Sequence, residues 1–307
     1  MDLGLFTDSV PRLSFEAALD LAVDVGASAI EIAVGGVSEM THADTPTLLA
    51  DPAARARFSA AFASRGLRIA ALNCSGFPLH PLIGDQQQRS IEDTIRLAEL
   101  LGVDKIVTMS GCPGDGPGAT TVNWIWYPWP ADAVALLERQ WDAAIPFWRE
   151  MAAFAEDHGV RRIAFELHPL YLVYNVPTLE RMRDAIGPVI GANVDPSHMF
   201  WQQMDPIAVV RALGPAVQHV HLKDTQIVPE QVARFLPGRV FVPLGTDGMG
   251  RSDTRESLRR FFEIDLGHVV VGVLSALHAA GEVDADLVES AIKRYDVDPD
   301  AVDPYII

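Results

Sequence analysis

The residues best equipped for chemistry lie in three short strings: "FELHP" with Glu166 and His168, "DPSH" with Asp195 and His198, and "HVHLKD" with His219, His221 and Asp224. Each closes a short run rich in apolar residues. Two carboxylates and an imidazole brought to one place form a hard, mixed oxygen/nitrogen donor set suited to Mn²⁺, Mg²⁺, Co²⁺ or Zn²⁺. An ion held there polarises a carbonyl or hydroxyl of a bound polyol and stabilises an enediolate. A carboxylate beside it moves a proton between neighbouring carbons.

Each of these residues also has a plainer employment. An acid at a strand end often caps the helix that follows, and Glu31 and Asp224 are equally well read that way. His219 is expected to face away from the interior, packed or turned toward a helix. Glu166, Asp195 and His221 are explained better together, as a shared metal site, than one at a time.

Such a set needs elements to position it. Seven short runs, at 3–8, 29–36, 68–76, 105–111, 162–169, 190–198 and 217–224, lean on Ile, Val, Ala and Phe as strands buried on both faces do. Between them lie helical segments. "FEAALDLAVDVGA" follows Ser14 as N-cap and stops near Gly26, and "SIEDTIRLAELLGVD" stops at Gly102. "ALLERQWDAAIPFWREMAAFAEDHGV" carries Pro146, which is expected to bend it. "TLERMRDAIG" and "PIAVVRALG" complete the set. The alternation predicts a parallel sheet with helices outside. Glu31, Asn73, Glu166, His168, Asp195, His198, His221 and Asp224 are all placed at the C-terminal ends of their runs. Polar groups gathered on that rim from many strands favour a (β/α)8 barrel over an open sheet with one switch point.

Composition narrows the partners. Lys and Arg number 24 against 41 Asp and Glu, a net charge of −17, which argues against nucleic acid or an anionic membrane. Two cysteines, Cys74 and Cys112, cannot make a disulfide framework. The start lacks the basic and apolar regions of a signal peptide. No run of about 18 apolar residues predicts a membrane span. A cytoplasmic protein is expected.

"ALNCSGFPLHP", "VTMSGCPGDGP", "FELHP", "GANVDPSHMFWQQMDP" and "HVHLKD", in this order, resemble the sugar phosphate isomerase/epimerase family, the xylose-isomerase-like barrels. The resemblance runs from residue 2 to about 225. It implies an α/β fold of the TIM-barrel type and a divalent metal on Glu166, Asp195 and His221. Glu166 would also transfer the proton, with His198 as its catalytic companion. His168 and His198 would hold substrate hydroxyls, and His80 with the loop "SGCPGDG" would enclose a sugar. Asn73 and Trp124 complete the expected substrate contacts. Trp126, Trp129 and Trp201 offer further apolar faces, although tryptophans between helices are commoner. Phe77 stands where the family pattern has a small polar residue such as Asn, which removes a hydroxyl contact. "GDG" at 114–116 with Asn123 opens like a thiamine-diphosphate signature but spans too little chain, and is read as a loop.

The activity implied is isomerisation or epimerisation of a sugar or keto-sugar through an enediolate. The alternatives are a catalytically inactive sugar- or metal-binding barrel or chimera, and a metal-dependent lyase on a 3-keto-glycoside. The family pattern closes with an eighth strand ending in a glutamate, the fourth metal ligand. Here the nearest string, "GVLSALHAAGEVD", puts Leu277 in that place with His278 beside it; water, Glu263 or Glu282 could substitute, but nothing in the spacing supports either glutamate. Activity is therefore expected to be impaired.

Residues from about 228 to 307 instead resemble the C-terminal end of the homodimeric, thiamine-dependent pyruvate dehydrogenase component. "LGTDGMGRSDTRESLRRFFEID" (244–265) is the most specific stretch. None of that enzyme's cofactor motifs is present. The expected organisation is a barrel of about seven β/α units over 1–226 and an unrelated α/β segment over 227–307. That segment holds a strand at 240–244, helices over "TRESLRRFF" and "HVVVGVLSALHAAG", the latter ending at Gly281, and a helix "DADLVESAIKRY" capped by Asp284. If the tail acts as a dimerisation piece, the chain is a homo-oligomer.

Overall fold

In a computed structural model, residues 2–200, 202–223 and 255–301 are described. Asp224, Trp201, the expected junction near 226 and the expected strand at 240–244 lie outside the described residues. The chain divides into two compact units, Met1–His221 and Leu222–Ile307.

The first unit is built on one seven-stranded sheet whose strand order follows the chain. The strands are β1 (Gly4–Phe6), β2 (Ala29–Ala33), β3 (Arg68–Asn73), β4 (Lys105–Thr108), β5 (Arg162–Glu166), β6 (Ile190–Val194) and β7 (Val217–Val220). Every neighbouring pair is parallel. The sheet curls onto itself: Glu31 of β2 and Lys105 of β4 both hydrogen-bond His219 of β7, and the Phe6 ring of β1 stacks on His221. This is the curled parallel sheet of a (β/α)8 barrel. Among the described residues no eighth strand joins it.

Each strand stops short of its apolar run, because the ends of the runs turn into the loops that carry the polar residues. Between the strands run α1 (Phe15–Asp24), α2 (Thr45–Ala50), α3 (Pro52–Ala63), α4 (Gly84–Leu101), α5 (Ala131–Asp157), α6 (Val176–Ile186), α7 (Pro196–Phe200) and α8 (Pro206–Leu213). Ser14 caps α1 by accepting from Ala17 N at 3.2 Å, and Gly102 closes α4 in the left-handed region at φ 70°. Pro146 lies inside α5 without ending it. The sequence reading missed α2 and α3. Their segment is rich in alanine and buries few large side chains, chiefly Leu48, Phe58 and Phe62, so its apolar spacing is faint.

Residues alternate across each strand. Ile30, Ile32, Leu72, Ile106, Ile163, Phe165 and Ile190 pack outward in the main core under the helices. There Trp148 meets Phe165 at 4.5 Å and donates from Nε1 to Ser110 O at 2.7 Å. The inward positions are different. Ala71, Val107 and Ala164 form a small separate cluster, and the other inward residues include Glu31, Asn73, Lys105, Glu166, Asn193 and His219. A barrel centre usually filled by large branched side chains is polar here.

In the second unit, α9 (Arg255–Phe261), α10 (Leu266–Ala279) and α11 (Ala285–Tyr295) follow one another. Leu277 lies within α10, so the string considered for the eighth strand is helical. Asp265 caps α10 by accepting from His268 N at 2.9 Å. Asp284 occupies the N-cap position of α11, but its side chain makes no capping bond. By length and composition, Ser257–Ala279 is apolar enough to cross a membrane, a test that soluble helices also pass. The helix is interrupted there by Glu263 at φ 57° and the Asp265 cap. The 14 residues of α10 span roughly 21 Å, less than the ~30 Å of a bilayer core.

Candidate metal centre

Glu166, the last residue of β5, is 5% exposed, and Asp195, directly after β6, is fully buried. Asp195 Oδ1 accepts from Ser197 N at 2.9 Å and starts α7. That short helix turns His198 back, so its Nε2 lies 2.8 Å from Glu166 Oε1 and 3.3 Å from Asp195 Oδ2. His221 follows β7 and brings Nδ1 to 3.5 Å from Glu166 Oε2. Glu166 thus touches both histidines, and Glu166, Asp195 and His198 bring their ligand atoms within 4.8 Å of one another.

A second cluster adjoins the first. Glu31 Oε2 sits 2.7 Å from Nε2 of both His219 and His221, and Oε1 accepts from Asn73 Nδ2 at 2.7 Å. Glu31 lies in the middle of β2 and caps no helix. His219 faces the interior rather than a helix, because residues two apart on a strand share a face. It is Val220 between them, 41% exposed, that points the other way. Both expectations are corrected by the same alternation.

Charge follows geometry. Burial pushes the Glu31 carboxyl up, but the His221 charge and the bonds from both imidazoles outweigh it and hold its pKa at about 2. Burial likewise opposes ionisation of Glu166, and the hydrogen bonds with His198 and His221 bring it well below the usual carboxylate range. Burial lowers His221, but the facing carboxylates of Glu31 and Glu166 raise it to about 10. Lys105, desolvated and near Arg162, is lowered to about 8.

The remaining expected contacts are spread more widely. His168 lies against His198, ring centroids 4.0 Å apart, and against Tyr171. Phe77 stacks on Tyr171 at 5.3 Å, so an aromatic wall runs from the His198 side of the centre to the loop after β3. His80 accepts from Leu82 N within its own loop and meets the Phe77 ring edge-on. Asn73 spends both ends of its amide inside the protein, on Glu31 and on Ser75 N. Trp124 packs against Tyr174 at the edge of the core, while Trp126 and Trp129 are exposed. The loop 113–119 lines a separate cleft with Leu79, Pro81, Arg139 and Gln140.

The loops above the strands lean on one another. Gly36, at φ 75°, lies so close to the Ser75 carbonyl that a Cβ would overlap it, and Gly111, at φ 77°, approaches the Pro78 carbonyl in the same way. Leu172 N donates to Gly111 O and Val173 N to Ser110 Oγ, joining the loop after β5 to the loop after β4.

The xylose isomerase-like TIM barrel model matches residues 19–286. The chain belongs to this family. An uncharacterized protein of Bacillus subtilis (strain 168), YfiH, is 44% identical over 231 residues, covering 74% of each chain. A putative xylose isomerase from Rhodospirillum rubrum shares the fold with a TM-score of 0.57 at 16% identity, over 91% of this chain and 99% of that one. A D-psicose 3-epimerase does so at 0.54 and 14%, over 79% and 78%. The pyruvate dehydrogenase E1 component of Escherichia coli (strain K12) is 44% identical over 98 residues, 32% of this chain but only 11% of that protein. Partial matches of that kind support a fusion, and the family match itself runs beyond His221 into α11.

Proposed function

We propose that this xylose isomerase-like barrel is a divalent-metal-dependent isomerase or epimerase of a sugar or keto-sugar. The observation that carries the reading is the meeting of buried Glu166 with His198, His221 and, through His198, Asp195. That donor set fits a hard divalent ion: buried carboxylate oxygens and half-buried imidazole nitrogens, from three successive strand ends. Buried Asn193 Oδ1 beside it has no hydrogen-bond partner. Glu166, Asp195 and His221 would hold Mn²⁺, Mg²⁺, Co²⁺ or Zn²⁺. The chemistry a bound ion supplies is polarisation of a substrate carbonyl and stabilisation of enediolate charge.

The protein's own groups do the rest. Glu166 is kept ionised at neutral pH and so is able to take a proton from a carbon beside the carbonyl. His198 donates from Nε2 to Glu166 and steadies it, its other ring nitrogen accepts from a substrate hydroxyl, and His168 backs that ring. Phe77 and Tyr171 give the ligand an apolar face.

Metal content of the purified protein and of Glu166→Ala, followed by a ketose and aldose turnover screen, tests this. Near-stoichiometric metal lost in the variant supports it. One observation favours the rival of an inactive barrel: Leu277 lies in the course of a helix, and among the described residues no glutamate arrives from an eighth strand. Metal bound without turnover of any sugar would decide for that rival.

A further inference from the structure

Buried charge is costly, and replacing it with apolar packing is often neutral or stabilising. Yet this barrel keeps Glu31, Lys105 and His219 beneath the centre, none of which belongs to the Glu166 cluster. Their bonds run in one direction. The Lys105 ammonium only donates, and its Nζ lies 2.9 Å from His219 Nδ1 and 3.2 Å from Gln218 O. His219 Nδ1 is therefore an acceptor, and the proton of that ring sits on Nε2, aimed at Glu31 Oε2. The same carboxylate oxygen only accepts, so His221 also carries a proton on Nε2, 2.7 Å away. With Asn73 on its other oxygen, Glu31 has three donors and no reason to swing. The His221 ring plane is fixed in turn by Phe6, stacked at 5.4 Å and 11°.

We propose that Glu31, backed by Lys105 through His219, is a positioning residue that turns the His221 imidazole so that Nδ1 faces Glu166. The inference rests on His221 as a ligand. It gives the buried carboxylate of β2 a role in a centre that, among the described residues, receives no eighth-strand partner. Outer partners of this kind set the tautomer and orientation of a ligand histidine, and their loss typically weakens metal binding about 10–100-fold.

The test uses the full chain freed of metal by chelation, with Mn²⁺ alone as probe and circular dichroism to establish folding. Glu31→Gln is expected to bind Mn²⁺ about 10–100-fold more weakly than the wild type. Lys105→Met, which serves if Glu31→Gln does not fold, is expected to shift in the same direction. In ¹H–¹⁵N spectra of the metal-free protein, the Nε2–H signals of His219 and His221 should both move in either variant. Unchanged imidazole signals, or Mn²⁺ affinity within about twofold of wild type in the folded variant, overturn the proposal. Glu166→Gln is the separate control on the metal reading. If the wild type takes up no Mn²⁺, that reading fails, and the spectra alone decide the relay: a joint shift sustains it and static signals refute it.

Discussion

The alkaline limb of the metal-free protein's stability offers a test with a worked magnitude. His221 has a pKa raised from 6.5 to about 10, so its contribution is fully present below pH 6.5 and is lost as pH rises toward 10. Lys105 runs the opposite way. Its pKa is lowered from 10.5 to about 8, so the cost of burying its charge is felt below pH 8 and relieved between 8 and 10.5. From pH 6.5 to 8 only His221 acts, and stability should fall by about 1.4 kcal/mol per pH unit, roughly 2 kcal/mol in all. From pH 8 to 9 the two slopes have equal size and opposite sign, and the curve should flatten, before the buried thiols of Cys74 and Cys112, pushed up to about 11 and about 12, resume the fall above pH 9. Lys105→Met removes the compensation, so its curve should keep falling between pH 8 and 9, by roughly 1.4 kcal/mol more. All six tryptophans precede residue 222, and Trp141 and Trp148 are fully buried, so urea unfolding followed by tryptophan fluorescence with chelator reads the first unit. A wild-type curve flat or rising between pH 6.5 and 8 would refute a charged His221. A variant that plateaus like the wild type would refute the part given to Lys105.

On the acid side the Glu31 contribution is complete above pH 4.5 and is lost as pH falls toward 2, about 3 kcal/mol, read as the difference between the wild type and Glu31→Gln in urea unfolding at pH 5 and pH 2.5, since Glu166 titrates in the same window in both. Gly36→Ala should lower the melting temperature well beyond Gly26→Ala. Both have positive φ, but only Gly36 also meets a backbone carbonyl, so the control should cost only about 1 kcal/mol. Trp148→Phe should cost about 2–3 kcal/mol by urea unfolding, since it vacates fully buried volume and strands the Ser110 carbonyl. If the protein turns over a ketose, Phe77→Asn should lower KM for it by about fivefold, the worth of one hydrogen bond. An unchanged or higher KM would mean the Phe77–Tyr171 stack itself contacts substrate.

Much of this arrangement was legible because an acid or histidine closing an apolar run has few other places to go. Glu166, Asp195, His198 and His221 were found that way, and each starts or follows a turn above its strand. Glu31, His219 and Lys105 were harder. Glu31 sits between Ile30 and Ile32, whose outward packing forces it inward, and the two-residue step from His221 puts His219 on the same side. That two-residue period is present in the sequence itself. Lys105 opens a strand, where an exposed lysine is ordinary, and only the curl of the sheet brings β4 opposite β7. The loop contacts of His80 and Trp124 depend on tertiary packing that no spacing encodes.

The mutual support of the loops above β2, β3, β4 and β5 bears on how such a barrel can change over generations. Surface loops normally accept insertions freely. Here the backbone of Gly36 rests on Ser75, that of Gly111 on Pro78, and Leu172 hangs from Gly111. A lineage that lengthens one of these loops has to shift its neighbours with it. New substrate preferences on this side of the barrel are thus open to side-chain exchange, as at Phe77, and largely closed to length variation. Any comparison of descendants should find these four loops inherited as a block.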